Sequence, residues 1–237
     1  MSSESNFHTT HWTLVLRASG ESAEAKAALS ELCEAYYAPV IAFLRREGRD
    51  DDAAREMAHA FFAGVLASGV GAPERERGRF RSYLLGALKH FLGKQRAASL
   101  AEKRGAGAEH LPIMEGTDTS PGLPMPAASE PPPELHFDRE WAFTLIARAL
   151  AALEADHADK AAQFAALKPW LDGGVNVSQA DAAKTLGMSE TAVKVIIHRM
   201  RVRFRELIRA EVAATVHDPG EIADELRHLI AIASTCG

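Results

Sequence analysis

The chain has 237 residues, of which 47 % are apolar, so it is long enough for one large or two small domains, each with its own core. Alanine and leucine dominate and β-branched residues rarely cluster, which favours an all-helical fold. The formal net charge of −5 argues against a protein that coats nucleic acid with its whole surface.

The N-terminal part is predicted to be helical. Apolar residues recur at helical spacing in three segments, 22–48, 53–68 and 80–92. Pro39 should kink or break the first helix, because proline lacks the backbone donor that a helix interior needs. The aspartates from Asp50 to Asp52 offer an N-cap and an acidic first turn for the second helix.

A proline-rich segment follows the third helix. Residues 112–133 hold seven of the eleven prolines, separated by Gly, Ser and Thr, with no apolar periodicity. Such a composition predicts a flexible linker, which we place at 109–135. The linker divides the chain into an N-terminal helical domain, 1–108, and a C-terminal helical domain, 136–237.

The C-terminal part shows further helical periodicity. Helices are predicted over 137–157 and 160–171. Near the end of the chain, apolar residues at helical spacing predict a packed helix rather than a disordered tail. These residues are Ile222, Leu226, Leu229 and Ile230.

The run SQADAAKTLGMSETAVKVIIHRMRVRFRE, residues 178–206, predicts a helix-turn-helix. Ser178 is suited to cap a short first helix, Gly187 to end it in a left-handed conformation, and Ser189 to cap the second helix. A second helix of this kind fits the major groove of DNA. Side chains near its start meet base edges, and cations further along meet phosphates.

Two basic segments support contact with nucleic acid. Residues 75–104 hold nine Lys or Arg against two Glu, and residues 189–209 hold six against two. In the second segment, the candidates near the helix start are Ser189, Glu190, Thr191, Lys194, Val195 and His198. The candidates for phosphate contacts are Arg199, Arg201, Arg203 and Arg205.

The run SQADAAKTLGMSETAVKVIIHRMRVRFRELIR resembles the helix-turn-helix in the fourth domain of bacterial sigma factors of the extracytoplasmic-function type. Two N-terminal runs, DDAAREMAHAFFAGVLAS and RGRFRSYLLGALKHFLGKQR, resemble the second domain of the same family. The resemblance covers most of the chain, without the linker and the C-terminal tail.

The resemblance implies a sigma factor, a protein without catalysis of its own that directs RNA polymerase core to promoter DNA. The implied partners are the clamp and flap of the polymerase, the −10 element and the −35 element, the last read by the helix that begins after Ser189. The implied polymerase-binding residues are Asp51, Asp52, Glu56, His59 and Phe62. Binding of a melted −10 strand needs cations and stacking surfaces, and the implied residues are Arg77, Arg79, Phe80, Arg81, Tyr83, Lys89, Lys94 and Arg96.

The chain departs from the family pattern in its polymerase-binding helix. Arg55 and Ala60 stand where the family has acids, and His59 replaces a glutamine. Because the clamp surface is basic in the family, we expect weakened polymerase affinity and control by a regulator such as an anti-sigma factor. We also hypothesise that acidic residues of the C-terminal tail, Glu221, Asp224 and Glu225, shield the arginines of the recognition helix.

Other functions remain as alternatives. The chain is interpreted alternatively as a sigma-like or helix-turn-helix DNA-binding regulator that does not itself direct initiation; a repressor of this type would read half-sites as a dimer. Three Glu-x-x-His pairs also allow a di-iron site, which would leave the basic segments unexplained. These pairs are Glu56 with His59, Glu154 with His157, and Glu225 with His228.

No enzyme, cofactor, metal centre or membrane contact is expected. The sequence contains no Gly-x-Ser-x-Gly motif and no phosphate-binding loop. The longest uncharged apolar stretch, Ala60 to Ala72, is shorter than the roughly 18–20 residues that span a bilayer, and the first residues do not resemble a signal peptide. Cys33 and Cys236 form no Cys-x-x-Cys motif, which is typical of a protein in the reducing cytoplasm.

Overall fold

The computed structural model describes His11, Val15 and residues 22–68, 79–105, 131–172 and 178–234. Within these residues the protein is all-helical, as predicted, with nine α-helices and no strand. The first four helices are α1 (Ala23–Arg46), α2 (Asp51–Ser68), α3 (Phe80–Gly105) and α4 (Pro133–Ala155). They are followed by α5 (Ala161–Leu167), α6 (Pro169–Asp172), α7 (Gln179–Leu186), α8 (Glu190–Ala214) and α9 (Ile222–Ser234).

Side-chain caps fix the starts of the first two helices. The hydroxyl of Ser22 accepts a 3.0 Å hydrogen bond from the backbone N–H of Ala25. The carboxylate of Asp50 accepts a 2.8 Å bond from the N–H of Ala53, which confirms the predicted cap of α2. Each cap satisfies a backbone donor that the first helical turn leaves without a partner.

Helix α1 continues through Pro39, so the expected break is wrong. Pro39 is buried, and Tyr36, Val40 and Phe43 beside it are buried as well. Full burial of a large apolar side chain contributes about 1.5–3 kcal/mol, and proline in a helix interior costs about 3 kcal/mol. Several such burials therefore outweigh the proline.

The buried apolar residues form two clusters. The first core joins α1, α2, α3, the start of α4, the end of α8 and α9. The second core joins the end of α4 with α5, α6, α7 and the first half of α8. A linker-bounded division would assign 136–237 to one unit, whereas these residues contribute to both cores.

Two long helices run from one core to the other. In α4, Trp141 and Leu145 lie in the first core and Leu153 lies in the second. In α8, Val193 lies in the second core and Val212 lies in the first. Both helices therefore couple the cores directly.

The start of α3 is fastened to the end of α8 through the backbone. The N–H of Phe80 donates a 2.9 Å hydrogen bond to the carbonyl of Thr215. Arg79 and Val216 form an isolated antiparallel bridge beside it. Residues that are far apart in sequence are thus held together at the first core.

Prolines set two helix boundaries that the sequence predicted inexactly. Helix α4 begins at Pro133, a position where proline is favourable because the first N–H of a helix has no intrahelical partner. Helix α4 therefore includes residues 133–135 of the predicted linker, and linker residues 109–130 lie outside the described residues. The helix predicted over 160–171 is divided into α5 and α6, because Pro169 begins a new helix.

Judged by length and composition alone, helix α1 is long and apolar enough to cross a membrane, and the mean hydropathy of its most apolar window is 1.2. However, 61 % of that window is buried inside the protein. This burial is typical of a core helix.

Candidate nucleic-acid interface

Helices α7 and α8 are joined by a short turn whose ends are defined by three side chains. Ser178 Oγ accepts a 3.1 Å bond from the N–H of Asp181 at the start of α7. Gly187 ends α7 with φ of 63° and ψ of 33°, which is the left-handed conformation. Ser189 Oγ then accepts a 3.2 Å bond from the N–H of Ala192 at the start of α8. All three residues occupy the capping positions predicted for them.

The first cap also carries a charge. The Ser178 hydroxyl donates a 2.7 Å hydrogen bond to the carboxylate of Asp181. This bond is the main cause of a lowered pKa for Asp181, with a smaller contribution from Lys184. The carboxylate therefore stays ionised in the first turn of α7, where negative charge stabilises a helix.

One face of α8 is packed against the second core. Val193, Ile197 and Met200 are buried there, and Phe204 is half-buried. Small residues of α7, Ala182 and Ala183, lie in the same core. This packing fixes which side of α8 faces away from the protein.

The base-contacting candidates lie on the outward face of α8. All six are exposed: Ser189, Glu190, Thr191, Lys194, Val195 and His198. Val195 is 42 % exposed, although it is apolar. Lys194 Nζ lies 2.8 Å from a carboxylate oxygen of Glu190, a pair one helical turn apart. The first two turns of α8 thus present polar, charged and apolar side chains to solvent.

The arginines of α8 differ in their surroundings. Arg199 is exposed. Arg201 donates two hydrogen bonds to the backbone carbonyl of Trp170, at 3.1 Å from Nε and 2.8 Å from a terminal nitrogen. Arg203 donates to Asp156 and also lies near Glu206. Its pKa is raised, chiefly by the hydrogen bond to Asp156.

An open pocket of about 600 Å³ lies beside the outward face of α8. It is lined by Trp170, Leu171, His198, Arg201, Phe204 and Arg205. Two guanidinium groups, an imidazole and an indole are therefore brought together where α6 meets α8. Arg205, which borders this pocket, donates a 3.2 Å hydrogen bond to the carbonyl of Arg201.

The residues implied in −10 binding are not gathered into one exposed surface. Phe80 is fully buried, with its ring edge-on to Tyr36 at 5.0 Å between centroids. The expectation of a stacking surface at Phe80 is therefore wrong for this conformation, because the ring is part of the first core. Tyr83 is half-buried beside Phe80, and Arg77 lies outside the described residues.

The lysines and the last arginine of this set lie along the outer side of α3. Lys89 Nζ is 2.6 Å from Glu134, and hydrogen bonding to Lys89 is the main cause of a lowered pKa for Glu134. Arg96 pairs with Glu47, and Lys94 is exposed. The later turns of α3 therefore carry three accessible cations.

Two acids that the sequence did not single out for this role hold the remaining arginines. Arg79 and Arg81 both pair with Glu225 of α9, and Arg81 also pairs with Asp138 of α4. Burial by itself lowers the pKa of Arg81, but hydrogen bonds and charges from Glu225 and Asp138 outweigh it and raise the pKa. The hypothesis that Glu225 shields the recognition-helix arginines is corrected accordingly, since its partners lie on the other basic segment.

Asp224, a second acid of the tail, also has its partner away from α8. Asp224 pairs with Arg227 on its own helix. Leu226 is half-buried and Leu229 is buried, as the tail prediction required, but Ile230 is 60 % exposed.

The candidate polymerase-binding residues lie on α2, mostly on its exposed side. Asp51 pairs with Arg45 at 2.8 Å and Asp52 pairs with Arg55 at 3.1 Å, while Glu56 is exposed. These ion pairs neutralise part of the acidity of this surface.

The other two polymerase-binding candidates lie near Tyr37 of α1. His59 is exposed and its ring stacks on Tyr37, whose hydroxyl lies 2.9 Å from Nε2 of His59. Phe62 is buried in the first core, so its predicted contact with a partner is wrong for this conformation. Phe62 is buried because it lies on the apolar side of α2, which packs in the first core.

A search for metal sites finds no group of three or more His, Cys, Asp or Glu side chains within the described ranges that could hold an ion. Comparison of the chain with protein-family models gives no match. Comparisons with curated proteins and with solved structures give no match either.

Proposed function

We propose that this protein is a sigma-like transcription initiation factor that binds promoter DNA and carries RNA polymerase core to it. The observation that carries the proposal is the α7–α8 unit. Its two helices are capped by Ser178 and Ser189 and separated by the left-handed Gly187, and its second helix has an exposed first half. A helix-turn-helix with these features can place α8 in a major groove.

The first half of α8 has the chemistry of base readout. Lys194 can donate to guanine, Glu190 can accept from cytosine, and the exposed Val195 can contact a thymine methyl group. The ion pair between Lys194 and Glu190 would have to open for either side chain to reach a base. Because both are more than 40 % exposed, this opening costs little.

Cations around the pocket beside α8 supply candidates for phosphate contacts. Arg201 and Arg205 border the pocket, and Arg199 is exposed on the same helix. Charge-assisted bonds to phosphate contribute affinity without sequence preference. In this proposal the start of α8 contacts DNA bases, and the middle of α8 contacts DNA phosphates.

The exposed acids of α2 support contact with a basic partner surface. Asp51, Asp52 and Glu56 are exposed on one end of that helix. In the proposed function this surface binds the polymerase clamp, and the protein acts in the bacterial cytoplasm with the polymerase and the chromosome.

Co-purification followed by transcription in vitro tests the proposal. The full-length protein, mixed with bacterial RNA polymerase core, should form a complex and direct transcription from a subset of fragments in a genomic library. Lys194→Ala should change which fragments are transcribed while leaving complex formation intact. A protein that neither associates with the polymerase nor binds any fragment would contradict the proposal.

A second candidate is a DNA-binding regulator that does not direct initiation. The burial of Phe80 and the pairing of Arg81 with acids favour it, because both residues are needed for a melted strand in the first proposal. Footprinting separates the two. An initiation factor with polymerase protects two patches and makes bases between them reactive to single-strand probes, whereas a regulator protects duplex only.

A further inference from the structure

Glu225 is a carboxylate enclosed within the protein. Its side chain is 0 % exposed, and its two oxygens accept from Arg79, just before α3, and from Arg81 in the first turn of α3. Arg79 lies 2.8 Å from one oxygen, and Arg81 Nε lies 2.9 Å from the other. Glu225 follows Ile222 by three positions and precedes Leu229 by four, so it occupies the buried stripe of α9. Helix α9 therefore places a negative charge within its buried apolar stripe.

Arg81 is bound on its other side by helix α4. A terminal nitrogen of Arg81 donates to Asp138 over 2.6 Å, and its guanidinium lies over the ring of Trp141, with 5.1 Å from the central carbon to the ring centroid. The second oxygen of Asp138 lies 3.1 Å from Nε2 of His228. Because His228 belongs to α9, this pair joins α4 to α9 as well. The group of Arg79, Arg81, Asp138, Glu225 and His228 is called the Arg81 cluster below.

Attaching α9 through the Arg81 cluster carries a free-energy cost, because its charges are buried. Removing charges from water carries a large desolvation cost, and well-packed apolar residues of similar volume are often as stabilising or more so. The neighbouring positions of α9, Ile222 and Leu229, already achieve apolar packing against the first core. The charges at this contact therefore call for an explanation other than stability.

The two arginines lie at a place suited to anions. They flank the first residue of α3, where the helix dipole favours negative charge. The planar guanidinium of Arg81 offers parallel donors, which fit a carboxylate or a phosphate with the same geometry. Glu225 and Asp138 therefore occupy positions that phosphates could take.

We propose that α9 is an autoinhibitory cover, in which Glu225 stands in for a phosphate of single-stranded DNA at Arg79 and Arg81. The inference rests on the proposed function, in which the start of α3 meets the melted strand. In the closed state both arginines are neutralised and Phe80 lies within the core beneath them. DNA phosphates and the Glu225 carboxylate then compete for the same guanidinium groups, and strand binding displaces α9.

Glu225→Gln tests the competition. The amide keeps the size of the side chain and one acceptor, but removes the charge that opposes DNA phosphate. If the closed state is about tenfold more populated than the open state, a variant that cannot close binds DNA about tenfold more tightly. We therefore expect the variant to bind a labelled single-stranded DNA oligonucleotide at least about tenfold more tightly than the wild-type chain.

Asp224→Asn is the matched control. It removes the same charge from the neighbouring position of α9, where Asp224 is exposed and pairs with Arg227 of its own helix. The control should bind the oligonucleotide as the wild-type chain does. An equal gain in both variants would assign the effect to net charge and overturn the inference.

Hydrogen exchange on the wild-type chain gives a second readout that does not depend on the folding of a variant. Saturating oligonucleotide should increase exchange in residues 222–234 while leaving 193–200 unchanged. If the oligonucleotide binds and α9 stays protected, the inference that α9 covers Arg79 and Arg81 is wrong, and the proposed function is unaffected. If neither single-stranded nor duplex DNA binds to any of the proteins, the proposed function fails as well.

Discussion

The Nε of Arg203 donates a 2.8 Å hydrogen bond to a carboxylate oxygen of Asp156, so the middle of α8 is held to the C-terminal end of α4. Arg203 belongs to the arginines that the sequence assigned to phosphate contacts. The structure gives it a protein acceptor in Asp156 and a second carboxylate in Glu206. Arginines that are equivalent in the sequence are therefore not equivalent in their local electrostatics.

This difference predicts unequal effects on DNA binding. Arg199→Ala should weaken binding to all duplex sequences alike and reduce the slope of log affinity against log salt by about 1, as expected for the loss of one phosphate contact. Arg203→Ala should change the slope much less, because its charge is already satisfied by Asp156. Salt titrations of duplex binding for both variants measure this. A larger change for Arg203 than for Arg199 would contradict the assignment.

The acidity of α2 predicts a gain of function. Arg55→Glu combined with Ala60→Glu should raise polymerase affinity and transcription severalfold, because it adds acids and releases Asp52 from its 3.1 Å pair with Arg55. Lys26→Glu with Ala27→Glu is a control of equal charge change on exposed positions of α1. Both variants should be compared in co-purification and in vitro transcription. Equal behaviour would remove α2 as the polymerase contact.

Substitution by alanine should have opposite effects at two glycines, one in the turn between α7 and α8 and one within α3. Gly187→Ala should destabilise the protein by about 1 kcal/mol, because its φ of 63° is unfavourable for a residue with a β-carbon. Gly86→Ala should instead stabilise by about 0.5–1 kcal/mol, since Gly86 lies within α3 and an added β-carbon meets no atom within 4 Å. Urea denaturation measures both changes in the free energy of unfolding.

Burial of Cys33 predicts a dependence of stability on alkaline pH. Burial, with a smaller effect of Glu34, raises the pKa of the Cys33 thiol from 9.0 to about 12. The folded state thus holds the proton more tightly than the unfolded state. The resulting contribution to stability is complete below pH 9 and is lost as the pH rises towards about 12.

Thiol labelling checks the Cys33 prediction directly. In a Cys236→Ser background, alkylation at pH 8 should be slow until denaturant unfolds the chain, because Cys33 is buried and protonated. Fast labelling of the folded protein would contradict the burial of this side chain.

The sequence predicted the local features of the α7–α8 unit well, because they depend on neighbouring residues. Ser178, Gly187 and Ser189 each act on backbone groups within a few positions, so residue type and spacing suffice to assign them. The buried stripe of α8 is equally local, since Val193, Ile197 and Met200 recur at helical spacing.

The Arg81 cluster could not be predicted in the same way. Arg81 and Glu225 are 144 positions apart, and which acid meets which arginine depends on how α9 packs. One signal was present, since Glu225 interrupts the apolar stripe formed by Ile222, Leu229 and Ile232. Phe80 shows a related ambiguity, because an aromatic residue at helical spacing fits a core and a stacking surface equally well, and only burial separates them.

The sharing of α4 and α8 between the two cores has a mechanical consequence. Each helix is a stiff rod that begins in one core and ends in the other, so neither core can rotate against its neighbour without bending both rods. The first core is itself built from both sides of residues 106–130, because α1, α2 and α3 pack there against α4, α8 and α9. Cleavage at a protease site engineered between residues 106 and 130 should therefore yield two fragments that still elute together. Packing of α1–α3 against the later helices in the first core should be enough to hold the two fragments together.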